Sequence, residues 1–103
     1  MIEHILLNAV TANTDGSVTQ LPHNSGKLDI FVKATGVTSG ATVQVQVKSP
    51  TGDWHDLLSS DQAGITADGN FGPFHCPIGY PAVRGRVTAL TDGTYTVSII
   101  ARD

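Results

Sequence analysis

The sequence has few cysteines, no long apolar run and few basic residues, and each shortage excludes a class of small protein. Cys76 is its one cysteine, which excludes an intrachain disulfide and points to a reducing compartment. No apolar run approaches the roughly 20 residues that span a bilayer, and the N-terminal "MIEHILLNAVTA" lacks the basic residues of a signal peptide. We therefore expect a soluble protein without an export signal or a membrane partner.

Positive charge is also scarce, with six Lys and Arg residues against nine Asp and Glu residues and a formal net charge of -3. The basic residues are scattered along the chain, whereas phosphate binding needs a clustered basic face. Nucleic acid is therefore not an expected partner. A chain of 103 residues can bury a core of its own, so we assign residues 1–103 to a single domain.

Alternation of apolar and polar residues is the strongest pattern that is present. In "ATVQVQVKS" the valines share one face while Gln44 and Gln46 lie on the wet face, as in an antiparallel strand with one buried side. The segments "KLDIFVKA", "AVRGRVTAL" and "TYTVSIIA" repeat this pattern, which places Phe31 and Ile100 on otherwise polar faces. "IEHILLNAV" is ambiguous between helix and strand, and we interpret it as a strand because the rest of the chain favours β-structure.

Turn signals separate these segments at intervals of about 8 to 14 residues. They include "NTDGS", "GVTSG", "SPTGD" and "ADGN". The spacing predicts an all-β fold, an antiparallel β-sandwich of about seven or eight strands with jelly-roll or Ig-like connectivity. The short "TDG" link predicts a hairpin between the last two strands, and the Pro- and Gly-rich stretch before them predicts short edge strands and a long loop.

Candidate chemistry is sparse. None of His4, His23, His55 and His75 has metal-ligand spacing to another histidine or to Cys76, so no metal or other cofactor is predicted. His75 and Cys76 superficially suggest a small hydrolase, but neighbours on a strand point to opposite faces and cannot form a nucleophile–base pair. We therefore expect a protein that is not an enzyme.

Trp54 follows the "PTGD" turn, where an aromatic ring serves either as a core plug or as a platform for a sugar. The plug is the commoner case, but the platform keeps a possible ligand contact at Trp54 open.

Apolar side chains on sheet faces often mark subunit contacts. The candidate interface residues are Ile2, Ile5 and Leu7 of the N-terminal segment, Phe31, and the pair Arg84 and Arg86. The alternative is that residues 60 to 80 cover one sheet face.

The order of segments resembles small structural proteins of tailed bacteriophages. The resemblance lies in the order of "ILLNAVTANTDGSVTQL", "GKLDIFVKATGVTSGATVQVQVKSPTGDWHDL" and "PAVRGRVTALTDGTYTVSIIARD", with the hairpin "GATVQVQVKSPTGDWHDL" and the closing "VRGRVTAL" and "YTVSI", whereas "GPFHCPIGYPA" departs from the scheme. It implies a capsid decoration (cement) or head-fibre protein, a homo-oligomer with a trimer favoured, and a major capsid or other virion protein as partner. The implied location is the virion, assembled in the bacterial cytoplasm. A carbohydrate- or receptor-binding module of a tail or fibre is the alternative function.

Overall fold

The computed structural model describes residues 2–21, 26–77 and 80–102. Antiparallel strands make up most of this part of the chain, and the one helix in it, α1, has four residues. In chain order the elements are β1 (Ile2–Val10), β2 (Thr14–Asp15), β3 (Thr19–Gln20), β4 (Lys27–Thr35), β5 (Ala41–Lys48), β6 (Trp54–Asp56), α1 (Ser60–Ala63), β7 (Gly64–Ile65), β8 (Gly69–Cys76), β9 (Ala82–Thr88) and β10 (Thr94–Arg102).

The strands form two sheets that pack face to face. Sheet I has the order β1-β10-β4-β8, and sheet II has the order β2-β9-β5-β6, with β3 beside β9 and β7 beside β5. Because β2 and β3 share one position and β6 and β7 share another, ten strands fill eight positions. When these positions are numbered in chain order, the first pairs with the eighth, the second with the seventh, the third with the sixth and the fourth with the fifth. This nested pairing is that of a jelly roll, so the predicted all-β sandwich is confirmed.

The predicted hairpin between the last two strands is wrong. β9 pairs with β5 in sheet II, whereas β10 pairs with β1 and β4 in sheet I. The "TDG" link therefore crosses from one sheet to the other. The positive φ of Ala89 (52°) and Gly93 (98°) turns the backbone at the two sides of this crossing.

Asp92 ties this crossing to the loop between β4 and β5. Its carboxylate accepts hydrogen bonds from the backbone N–H groups of Thr38, Ser39 and Gly40, at 3.0 to 3.1 Å. Three such bonds favour the ionised form, and they lower the pKa of Asp92, with the Gly40 N–H as the largest cause. The Tyr95 hydroxyl donates to the Asp92 carbonyl at 2.7 Å, and burial raises the pKa of Tyr95.

The core lies between the sheets and consists of the alternating apolar positions that the sequence indicates. These are chiefly Leu28, Ile30, Val32, Val43, Val45, Val47, Val83, Val87, Tyr95, Val97 and Ile99. "IEHILLNAV" is a strand, as predicted, and "GNFGPFHC" forms the edge strand β8, with a cis peptide bond between Gly72 and Pro73.

Leu7 belongs to this core, which corrects its prediction as an interface residue. The pairing of β1 with β10 shifts between Ile5 and Leu7, so Leu6 and Leu7 are both buried although they are neighbours. Leu7 reaches across to sheet II, where a Cβ on Gly85 would lie 2.8 Å from its Cγ. Because Gly85 has no side chain, Leu7 can fill this space. Leu7 is only 4% exposed, so it is not accessible to a partner.

Candidate interaction surfaces

The outer face of sheet I carries an apolar patch. Ile5 on β1, Ser98 on β10 and Phe31 on β4 are neighbours in register across three strands, and Ile100 lies two residues beyond Ser98. Ile5 is 63% exposed, while Phe31 and Ile100 are half-buried. A shallow groove of about 520 Å³ lies at these residues, and Glu3, His4 and Ile99 also line it. We call Ile5, Phe31, Ser98 and Ile100 the Phe31 patch.

An ion cluster flanks the Phe31 patch on the same face. Asp29 lies two residues before Phe31, and its side chain is only 10% exposed although it points outward. Arg102 Nη2 donates to Asp29 Oδ2 at 2.6 Å, and His75 Nδ1 lies 2.6 Å from Asp29 Oδ1. The two partners cover the carboxylate and satisfy its oxygens, as a buried charge requires.

The outer face of sheet II carries polar side chains that bind one another. Gln46 is buried there, because Arg84 Nε donates to its Oε1 at 2.8 Å and its Nε2 donates to Asp56 Oδ1 at 2.7 Å. The Arg84 guanidinium also lies 4.4 Å from the centroid of the Trp54 ring. Trp54 is thus half-buried on the outer face and is not part of the core, so the favoured interpretation as a core plug is wrong.

Gln44 is also buried on this face, since the segment after β6 runs alongside β5. Its amide accepts from the Leu58 N–H at 3.0 Å and donates to the Leu58 carbonyl at 2.8 Å. The side chain thereby replaces one backbone pairing at the edge of the sheet. The alternation placed both glutamines on this face, but it did not show that other groups cover them.

A cleft opens at one edge of sheet II, with a volume of about 760 Å³. Val47 and Ala82, both buried, form its floor, and His55, Tyr80 and Gln20 are among the side chains around it. The remaining lining residues are Lys48, Ser49, Pro50 and Pro81. We call this the edge cleft. No sequence motif indicates it, because its described residues come from four separate segments.

The predicted interface residues do not form one surface. Ile5 and Phe31 lie together on sheet I, and Ile2 is half-buried against the edge of the core. Arg84 and Arg86 project from the outer face of sheet II, on the opposite side of the molecule. Each is held within its own sheet, Arg84 as described above and Arg86 by Asp15, with Arg86 Nε 2.9 Å from Asp15 Oδ1.

His75 and Cys76 face opposite sides of β8, as expected for neighbours on a strand. His75 points outward to Asp29, and Cys76 packs against the core. Within residues 2–21, 26–77 and 80–102, no three His, Cys, Asp or Glu side chains gather closely enough to hold a metal ion. His23 lies outside the described residues.

No helix in the described part of the chain is long and apolar enough to cross a membrane. Comparison of the sequence and structure with protein-family models, with curated proteins and with solved structures finds no match in any of the three.

Proposed function

We propose that this chain is a non-enzymatic structural protein of a bacteriophage virion, a capsid decoration (cement) or head-fibre protein that binds the outside of the head and stabilises it. One observation carries the proposal. The jelly roll presents an apolar patch with the exposed Ile5 on one sheet, while on the outer face of the other sheet Gln46, Arg84 and Asp56 bind one another and Arg86 contacts Asp15.

The Phe31 patch would supply the adhesion. Covering a large apolar side chain contributes about 1.5 to 3 kcal/mol, and Ile5 has most of its surface available for such a contact. One patch of this kind gives a weak contact, but many copies on a shell, or several in a homo-oligomer such as the favoured trimer, add through multivalency. The partners are then a second copy of the chain and a major capsid or other virion protein.

Two further features support the proposal. The segments that resemble tailed-phage structural proteins fold into the scaffold strands β1, β4, β5, β9 and β10, which position the patch. A structural protein that acts by adhesion needs no catalytic site. His75 and Cys76 face opposite sides of β8, so the histidine is not placed to activate the thiol as a nucleophile.

The test replaces Ile5 or Phe31 with Ser and compares each variant with Val18→Ser. Val18 is the matched control because it is also a large exposed apolar residue, at 48%, but lies outside the patch. Light scattering after size exclusion measures self-association, and co-sedimentation measures binding to empty heads of the phage that encodes the chain. We expect each patch variant to weaken association about 10- to 100-fold.

The outcome that contradicts this proposal is a wild-type chain that stays monomeric at high concentration and does not sediment with the heads. Equal weakening by Val18→Ser would also contradict it, because the effect would then be a general loss of apolar surface.

A carbohydrate- or receptor-binding module of a tail or fibre is the second candidate function. The observation that favours it is the edge cleft, which combines an apolar floor with polar side chains. Such a module would attach through its ligand, so its binding would survive Ile5→Ser and Phe31→Ser.

A further inference from the structure

The edge cleft has the size and composition of a small-molecule site. Ligand pockets commonly enclose about 300 to 1,000 Å³ and combine apolar walls with a few convergent polar groups. Here Val47 and Ala82 supply the floor, and Tyr80 and Pro81 supply further apolar surface, within a volume of about 760 Å³.

Three polar groups around the cleft are free to bind a ligand. Within the part of the chain that the structure describes, no hydrogen bond or ion pair engages the side chains of Gln20, His55 or Tyr80. The side chains of the outer face of sheet II differ in this respect, because Gln46, Arg84 and Asp56 satisfy one another. The cleft therefore keeps an amide, an imidazole and a phenol available to a ligand.

The charges of the cleft point to an uncharged ligand. Lys48 is the one Lys, Arg, Asp or Glu among the described lining residues, and its Nζ lies 6.0 Å from the centroid of the Trp54 ring. A phosphate or a carboxylate ligand would call for more cationic groups than this. Aromatic and apolar surface beside neutral hydrogen-bonding groups suits a sugar ring, which has an apolar face and a rim of hydroxyls.

Trp54 is a poorer platform for the same ligand. The Arg84 guanidinium lies 4.4 Å from its ring centroid, and Lys48 approaches the same ring, so part of its surface is already occupied.

We propose that the edge cleft binds a neutral saccharide, with Tyr80 as the aromatic contact and with Gln20 and His55 as the groups that bind its hydroxyls. The inference deepens the second candidate function and rests on it, whereas attachment through the Phe31 patch is independent of it. None of the described lining residues of the cleft belongs to a strand of sheet I, which carries that patch.

The experiment is a titration of isotope-labelled full-length chain with the methyl glycosides of glucose, galactose, mannose and N-acetylglucosamine, followed by amide chemical shifts. We expect at least one sugar to shift the amide signals of Gln20, His55 and Tyr80 with a dissociation constant of about 1 mM. Gln20→Ala and His55→Ala should each weaken binding about 3- to 10-fold, because each removes one hydrogen bond.

The control is Asn70→Ala, which removes another exposed amide from β8 in the other sheet and should leave the affinity unchanged. Both replaced cleft residues are exposed, so the variants should fold, and their dispersed spectra report this directly. The proposal is overturned if no sugar shifts the cleft signals, or if the shifts map to Trp54 and Arg84. Phe31→Ser, which tests the other proposal, should bind sugar normally.

Discussion

At the scale of single residues, burial separates side chains that the sequence pattern treats alike. Leu7 and Ile5 occur in one apolar run, but the shift in strand pairing between them turns Leu7 into the core and leaves Ile5 in solvent. Asp29 and Lys33 both point outward from β4, yet Asp29 is covered by Arg102 and His75 whereas Lys33 is exposed. The chemistry available to a partner is therefore set by local geometry as well as by residue type.

Asp92 gives a prediction at this scale. Its hydrogen bonds from Gly40, Thr38 and Ser39 lower its pKa from the ordinary value of 3.8. A carboxyl group with a lowered pKa stabilises the folded state fully above its unfolded pKa, and this stabilisation is lost as the pH falls through the lowered folded value. We expect the urea midpoint to decrease as the pH falls below about 4.

The variant Asp92→Asn isolates this contribution. It should be less stable than the wild type at neutral pH, and the difference in urea midpoint should narrow in acid, because the wild-type carboxylate is then protonated as well. A difference that stays constant from neutral pH to about pH 2.5 would contradict the assignment.

At the scale of elements, short connections at the two ends of the sandwich join different kinds of strand pairs: one joins neighbours in a sheet and the other joins strands of different sheets. The "SPTGD" turn closes the hairpin of β5 and β6, in which the Gly52 N–H donates to the Ser49 carbonyl at 2.9 Å. The "TDG" link crosses between the sheets instead, and Asp92 binds it to the loop after β4. Both links have a Gly with positive φ, so their local sequence does not distinguish a hairpin from a crossing.

β6 gives a prediction at this scale. The strand has three residues at one edge of sheet II, and the Trp54 side chain contacts Arg84 on the outer face of that sheet. Arg84→Ala should uncover the indole ring, shift its fluorescence to longer wavelength and increase its quenching by acrylamide. The lost cation–π contact should lower the free energy of unfolding by about 0.5 to 1 kcal/mol, and the loss of the hydrogen bond to the buried Gln46 should add about 1 kcal/mol or more.

Trp54 is the one tryptophan of the chain, so the emission comes from this ring and reports on its surroundings. The control is Arg86→Ala on the same strand, which breaks the contact with Asp15 and should leave the emission unchanged. An unshifted spectrum in Arg84→Ala would contradict the assigned contact.

At the scale of the whole molecule, the nested pairing brings distant parts of the chain together. Ile2 pairs with Ala101, and the two central strands of sheet I, β10 and β4, are far apart in sequence. The outer faces of the two sheets point in opposite directions. One molecule therefore has room for an apolar contact on sheet I and a separate ligand cleft at the edge of sheet II.

This pairing predicts that the chain tolerates circular permutation. Joining the ends through a linker of about four Gly and Ser residues, and opening the chain between Thr51 and Gly52, keeps every strand pair. We expect cooperative unfolding, a β-type circular dichroism spectrum and a lower thermal midpoint than that of the wild type, because the turn no longer holds β6.

The matched control is a permutant opened between Ile30 and Phe31, in the centre of β4. It should fail to fold, because it cuts a strand that is paired on both sides. If both permutants were unfolded, the assigned arrangement of the ends would be wrong.

The inward-facing side chains of most long strands could be predicted from the amino-acid sequence alone. Period-two alternation follows from the strand geometry of a few neighbouring residues, so Leu28, Val45 and Val97 could be assigned to the core without knowledge of their partners. The same local pattern indicated the β5–β6 hairpin and the all-β class. It failed at Leu7, where a shift in pairing breaks the alternation.

The pairing of the strands and the accessibility of the outward residues became known only from the folded chain. Periodicity carries no information on strand order, so it could not show that β9 and β10 lie in different sheets. The edge cleft and the Phe31 patch, likewise, are built from segments that meet only after the chain has folded. The position of Trp54 outside the core could not be predicted either, because the ring contacts Arg84, a residue from another strand.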